Sequence, residues 1–157
     1  MEIQLLPFML QGERFALPLA QVRRVLPALK ATPLPGAPPV VAGVVDLRGQ
    51  LVTVIDLCAR LGWPASPARL WAPWIWACTA RRDLLLPVDT VLSVRSAVSE
   101  DWTPVASLAK VPGSVAGVLR SSDGLYLLHD LDTFLSAAEE QALERGLVEY
   151  GSSEAAV

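Results

Sequence analysis

The sequence predicts an all-β protein built from two similar halves. A block of the chain repeats itself, short apolar runs alternate with glycine-bearing turns, and helical character is confined to the C-terminal end.

The repeat decides the architecture. Val41-Ala42-Gly43-Val44 through Asp56-Leu57 lies without a gap on Val115-Ala116-Gly117-Val118 through Asp130-Leu131, an offset of 74 residues. Pro38 falls on Pro112 and Leu61 on Leu135. Earlier in each half, Leu17-Pro18-Leu19-x-x-Val22-x-x-Val25 lies on Leu86-Pro87-Val88-x-x-Val91-x-x-Val94, at an offset of 69. Strands share Val, Leu and Gly by composition, but composition alone does not put two matched blocks in the same order. The halves cover about 5–62 and 73–136 of one domain, 5–136.

Each half reads alike. Pro7 to Leu10 and Phe15 to Leu19 are apolar runs flanking Gln11-Gly12-Glu13-Arg14, which predicts an opening hairpin. Val22 and Val25 continue the apolar face, and the prolines of the stretch Thr32 to Pro39 exclude a central strand there. Val40 to Leu47 and Leu51 to Leu57 form a second hairpin about Arg48-Gly49-Gln50, where Gly49 accepts the positive φ of a tight turn. Asp56 caps a short helical turn that Gly62 ends. The second half repeats this hairpin around Ser121-Ser122-Asp123-Gly124. Short strands at regular spacing favour small barrels over a parallel α/β sheet. Beyond Phe134, Ser136 and Glu139 form a capping box for a helix over 137–146, with Gly146 as its stop and 147–157 as a flexible tail.

Composition narrows the function. Apolar residues make up 52% of the 157 and charged residues 18%, so the chain folds as one domain and is unusually apolar for its size. A net charge of −3 without runs of one sign offers no footprint for nucleic acid or anionic lipid. Met1 to Leu10 lacks the basic start of a signal peptide, and charges or prolines punctuate every apolar run before it reaches membrane-spanning length. A cytoplasmic protein without direct membrane insertion is expected. Cys58 and Cys78 have no CxxC or histidine neighbours, so both read as buried thiols.

Reactive groups do not converge. His129, the sole histidine, aligns with Ile55 on a strand and reads as structural; Asp130 aligns with Asp56 and reads as a cap rather than as a metal ligand with Asp132. No Gly-x-Ser-x-Gly, His-Glu-x-x-His or phosphate-loop pattern occurs, which predicts neither catalysis nor a cofactor or metal. Trp71, Trp74 and Trp76 would suit base stacking only beside a basic groove, so they read as packing residues. Arg48, in Asp46-Leu47-Arg48-Gly49, offers a planar set of donors on a turn, which makes a good anchor when a carboxylate or carbonyl faces it.

The stretch Gly43-Val44-Val45-Asp46-Leu47-Arg48-Gly49 through Asp56-Leu57 resembles the signature of CheW-like domains, and the other repeat blocks follow in that family's order over about residues 5–136. The resemblance implies a fold of two intertwined five-stranded β-barrels of the Src-homology-3 type sharing one hydrophobic core, with a short C-terminal helix. It implies an adaptor in chemosensory signalling that binds the regulatory domain of a CheA-type histidine kinase and the cytoplasmic tip of a methyl-accepting chemoreceptor. The partner-binding positions it implies are Leu19, Val22, Arg24, Gly43, Asp46, Arg48, Gly49 and Val91.

Two residues depart from the family's habit: Arg24 stands where an acid is usual, and Asp46 where asparagine is usual. Arg24 would repel Arg48, and Asp46 would restore the balance. A changed partner choice follows, as in a pathway controlling pili or gliding rather than flagella. The alternative function is small-molecule sensing in a pocket between the lobes, which an enclosed apolar cavity there would favour.

Overall fold

In a computed structural model of the chain the described residues are 2–64, 72–104, 115–121, 124–129, 131–133 and 135–155. Trp71, Ser122, Asp123 and Asp130 lie outside them.

The opening hairpin pairs β1 (Glu2–Leu10) with β2 (Glu13–Pro18), and Gln11-Gly12, both at positive φ, forms its two-residue turn. A 3-10 turn at Leu19–Gln21 leads into β3 (Val22–Leu26). The second hairpin joins β4 (Val41–Leu47) to β5 (Gln50–Ile55) and runs into α1 (Leu57–Leu61). Asp56 caps α1 by accepting from the Ala59 N–H at 3.1 Å, and Gly62 ends it at φ 72°, as its sequence predicts. The second half begins with the hairpin of β6 (Trp74–Cys78) and β7 (Asp83–Pro87). The short strands β8 (Thr90–Val91), β9 (Arg95–Val98) and β10 (Trp102–Pro104) come next. The hairpin of β11 (Val115–Ser121) and β12 (Gly124–His129) then leads to α2 (Ala137–Ala155).

The halves exchange their opening hairpins. One sheet has the order β3-β6-β7-β5-β4, so the second half's hairpin completes the first half's barrel. The other has the order β10-β11-β12-β2-β1-β8, with β9 also on β1. The two parallel junctions are equivalent under the repeat: β5 meets β7 at Thr53↔Leu84, and β12 meets β2 at Leu127↔Phe15. Seven strands replace five in the second sheet because β8 and β9 together occupy the place of β3, and β10 occupies the place of the single bridge Thr32↔Val44.

Hairpin exchange explains the unbroken apolar runs, since these strands are buried on both faces. Leu6, Phe8, Phe15, Leu17, Ile75, Leu84 and Leu86 face a central cluster shared by the barrels, which also takes Ile55 and Leu57. Their neighbours fill the barrels themselves: Trp74, Leu85, Val52 and Val54 in the first, Leu5, Ala16, Leu119 and Tyr126 in the second. His129 is buried and stacked on Phe15 at 4.8 Å between centroids, a structural place as expected.

Gly43 and Gly117 share one cause. A Cβ at Gly43 would run into the Thr32 carbonyl oxygen, and one at Gly117 into that of Thr103, because the neighbouring backbone crosses there to close each barrel.

Four sequence expectations are corrected. Val25 does not extend the buried face; it is 42% exposed, since β3 forms the edge of its sheet. Cys78, at the end of β6, is only half-buried, whereas Cys58 is buried. Gly146 does not stop the C-terminal helix: α2 continues to Ala155, and the expected tail from 147 is helical that far. The glycine permits close approach instead, because a Cβ there would lie 3.2 Å from both Leu34 Cδ2 and the Pro35 carbonyl oxygen. The loop Thr32 to Pro39, predicted as irregular, thus serves as the seat of α2. The capping box that starts α2 does form, with Ser136 N–H donating to Glu139 at 2.8 Å and Glu139 N–H to Ser136 Oγ at 3.2 Å.

Candidate partner surface

The Arg48-Gly49 turn is built by local chemistry. Leu47 pairs with Gln50, so Arg48 and Gly49 are the two central residues and adopt φ 54° and 88°. Two positive φ values define the hairpin turn that matches strand twist, for which asparagine-glycine is the usual choice. Arg48 occupies this conformation at the steric cost of its Cβ. The Asp46 carboxylate accepts the Gly49 N–H at 2.7 Å and locks the turn. Asp46 is therefore a turn residue first, and its expected pairing with Arg48 is replaced by this bond. Among the described residues neither Arg24 nor Arg48 makes an ion pair, and both are exposed.

Asp83, which sequence reasoning missed, ties this end of the first barrel together. Its Oδ2 accepts from Arg23 Nε at 3.1 Å, from Trp76 Nε1 at 2.9 Å and from Gln50 Nε2 at 3.2 Å. One nearly buried carboxylate thus joins β3, β6, β7 and β5 and holds Gln50, next to the turn, close to Arg23. It is Arg23, not Arg24, that shares a partner with the turn. The repeat could not reveal Asp83, because its counterpart at the offset of 69 is Arg14.

The remaining expected positions divide by burial. Leu19, Val22 and Val91 are half-buried along the margin of the central cluster, where part of each stays accessible. Val22 and Val91 are repeat equivalents, paired respectively with Ala77 and Phe8. Gly43 is buried and takes no surface position, for the steric reason given above. Two apolar side chains on these elements are exposed: Val25 on β3, and Leu51, 40% exposed, directly after the turn.

Among the described residues no group of three His, Cys, Asp or Glu side chains gathers to hold a metal, and no helix is long and apolar enough to cross a membrane. Among the described residues, the central cluster packs between the barrels. A paired-barrel scaffold with a charged turn and accessible apolar margins is the class of protein that the fold defines.

Comparison with known proteins gives that class its family. The CheW-like domain model matches residues 4–139. The Chemotaxis protein CheW of Rhizobium meliloti is 29% identical over 141 residues, 88% of this chain and 91% of that protein. Protein PilI of Pseudomonas aeruginosa is 40% identical over 62 residues, 40% of this chain and 35% of that protein. The crystal structure of the scaffolding protein TtCheW from Thermoanaerobacter tengcongensis superposes with a TM-score of 0.80 at 22% identity, covering 88% of this chain and 96% of that one. The chain belongs to the CheW-like domain family. It is a CheW-like adaptor of chemosensory signal transduction.

Proposed function

We propose that this chain is a non-catalytic cytoplasmic coupling protein that joins the cytoplasmic tip of a methyl-accepting chemoreceptor to the regulatory domain of a CheA-type histidine kinase. Its partner surface comprises the Arg48-Gly49 turn with Asp46 as its lock, Arg24 on β3, and the accessible margins of Leu19, Val22 and Val91. The observation that supports this reading best is the state of Arg48. It sits in a left-handed conformation at the tip of a hairpin whose turn is fixed from within, and it makes no ion pair among the described residues. A residue kept in a sparsely populated conformation without an internal partner fits an external one. Leu51, next to the turn, adds exposed apolar area, as partner surfaces do.

Arg24 adds positive charge where the family resemblance implies an acid, and Asp46 is engaged in its own turn. Partners complementary to two arginines follow, in a divergent pathway such as the control of pili or gliding. Affinity measurements with the cognate kinase regulatory domain test the surface. Arg48→Asn keeps the turn and removes the guanidinium, and is expected to weaken binding about tenfold or more. Arg24→Glu is expected to move preference toward partners of relatives with an acid there. Unchanged affinity in both variants would move the surface elsewhere.

A further inference from the structure

The repeat supplies an internal control for the charged end of the first barrel. At the offset of 69, the counterparts of Arg23 and Arg24 are Leu92 and Ser93, and that of Asp83 is Arg14. Leu92 packs against the second barrel's own cluster, whereas the Arg23 side chain is 54% exposed. A barrel of this kind therefore forms with leucine and serine at these two places. Closing the first barrel is not what calls for the arginines.

Arg23 is placed by a bulge. Val22 pairs with Ala77 and Arg24 with Trp76, which are neighbours on β6, so Arg23 is the extra residue of β3. A bulge re-aims a side chain, and here Arg23 Nε meets Asp83 Oδ2 at 3.1 Å. That carboxylate is only 9% exposed and is also held by the Trp76 indole at 2.9 Å and the Gln50 amide at 3.2 Å, so it offers Arg23 a fixed support. A guanidinium gripped at Nε keeps the end-on fork of Nη1 and Nη2 for a second acceptor. Among the described residues no hydrogen bond engages that fork.

Charge decides what the fork receives. Asp83 balances Arg23, and Asp46 is taken up by the Gly49 N–H, while Arg24 and Arg48 are exposed and make no ion pair among the described residues. These arginines outnumber the two carboxylates, so the group keeps a positive charge. A planar fork matches a carboxylate through two parallel bonds. Because Arg23 is already ordered by Asp83, a partner does not have to immobilise a free side chain to use it.

We infer that Arg23 is a preset carboxylate anchor of the partner surface, supported from behind by Asp83 and receiving an aspartate or glutamate side chain of the kinase regulatory domain. This role rests on the partner surface proposed above, to which it adds a residue outside the positions implied by the family resemblance.

Calorimetric titration of the full chain with the cognate kinase regulatory domain tests it. Arg23→Gln removes the charge and the fork, and Arg23→Lys keeps the charge but cannot both hold Asp83 and grip a carboxylate with two bonds. Each is expected to weaken binding at least about tenfold with an unchanged urea midpoint. Acidic surface residues of the kinase domain are then replaced one at a time by their amides. One replacement is expected to weaken binding to the wild-type chain by about tenfold and to Arg23→Gln by less than about twofold, because the pair is already broken there. Wild-type affinity in Arg23→Gln, alongside weakened binding in Arg48→Asn, would overturn the anchor and leave the partner surface standing. Wild-type affinity in Arg23→Lys, or no acidic residue coupled to Arg23, would overturn the anchor as well. Failure of the wild-type chain to bind the domain would overturn both.

Discussion

Replacing Gly43 by alanine tests the barrel closure at its tightest point. The added Cβ would collide with the Thr32 carbonyl oxygen and lie 2.9 Å from the Thr32 carbonyl carbon, so a flexible side chain cannot simply move aside. Backbone must shift, and the two hydrogen bonds of the bridge go with it: Thr32 N–H to Val44 O at 2.8 Å and Val44 N–H to Thr32 O at 2.9 Å. Their loss costs about 0.5–1.5 kcal/mol each. The φ of 156° at Gly43 adds strain of about 1–3 kcal/mol for any side chain. The sum, about 2–6 kcal/mol, is a large part of the roughly 5–15 kcal/mol that holds a typical domain together. Gly12→Ala is the control, because its φ is also positive, 81°, while nothing lies within 4 Å of the new Cβ. Urea denaturation followed by tryptophan fluorescence should report the larger loss for Gly43→Ala and about 1 kcal/mol for Gly12→Ala. Equal losses in the two variants would refute close approach as the reason for Gly43.

Three further outcomes are expected. Asp83→Ala leaves Trp76 Nε1, Arg23 and Gln50 without their shared acceptor and should lower stability in the same assay by about 2–3 kcal/mol; a loss under about 0.5 kcal/mol would deny Asp83 its tying role. Glu139 has opposing influences: burial raises its pKa, but the Ser136 N–H and Arg60 outweigh it and hold the carboxyl below its ordinary value of 4.5. Its folded-state ionisation therefore stabilises the protein above that pH and ceases to do so as pH falls through the lowered value. Glu139→Gln should cost about 1 kcal/mol near neutrality, with the gap to wild type closing in acid, as pH-dependent thermal melts will show. Arg48→Asn should leave stability unchanged or raise it by about 0.5 kcal/mol, since asparagine tolerates the left-handed turn; a thermal midpoint that falls would mean that Arg48 is structural.

Much of the fold was legible because the chain describes itself twice. Gapless repeat blocks located both hairpins, and Asp56 with Gly62, like Ser136 with Glu139, bounded helices through bonds between near neighbours. Contacts between distant segments were not legible from local pattern. The parallel pair Thr53↔Leu84 joins the two halves, and nothing near either residue announces the other; the intertwining came only from family resemblance. Gly146 shows the same limit, since a glycine near a helix end reads as a stop, yet its reason is Leu34 and Pro35 far back in the chain. Within the candidate surface, the turn at Arg48-Gly49 was readable from its glycine, whereas the positions assigned to partners came from the family resemblance and the bond from Gly49 N–H to Asp46 was not foreseen. Gly43 was assigned to the surface because it belongs to the same motif, although the backbone crossing it buries it. Asp83 escaped notice because its role comes from partners on three other strands, while its repeat counterpart has the opposite charge.

Coupling itself is tested most directly by reconstitution. The purified chain is mixed with the cognate CheA-type kinase and with vesicles bearing the cytoplasmic signalling tip of a chemoreceptor from the same organism, and the kinase that sediments with the vesicles is measured. Kinase is expected to sediment only when the chain is present, and Arg48→Asn is expected to reduce the amount at equal protein concentration while remaining folded. Sedimentation of the kinase that does not depend on the chain, or failure of the folded chain to bind either partner, would contradict the account.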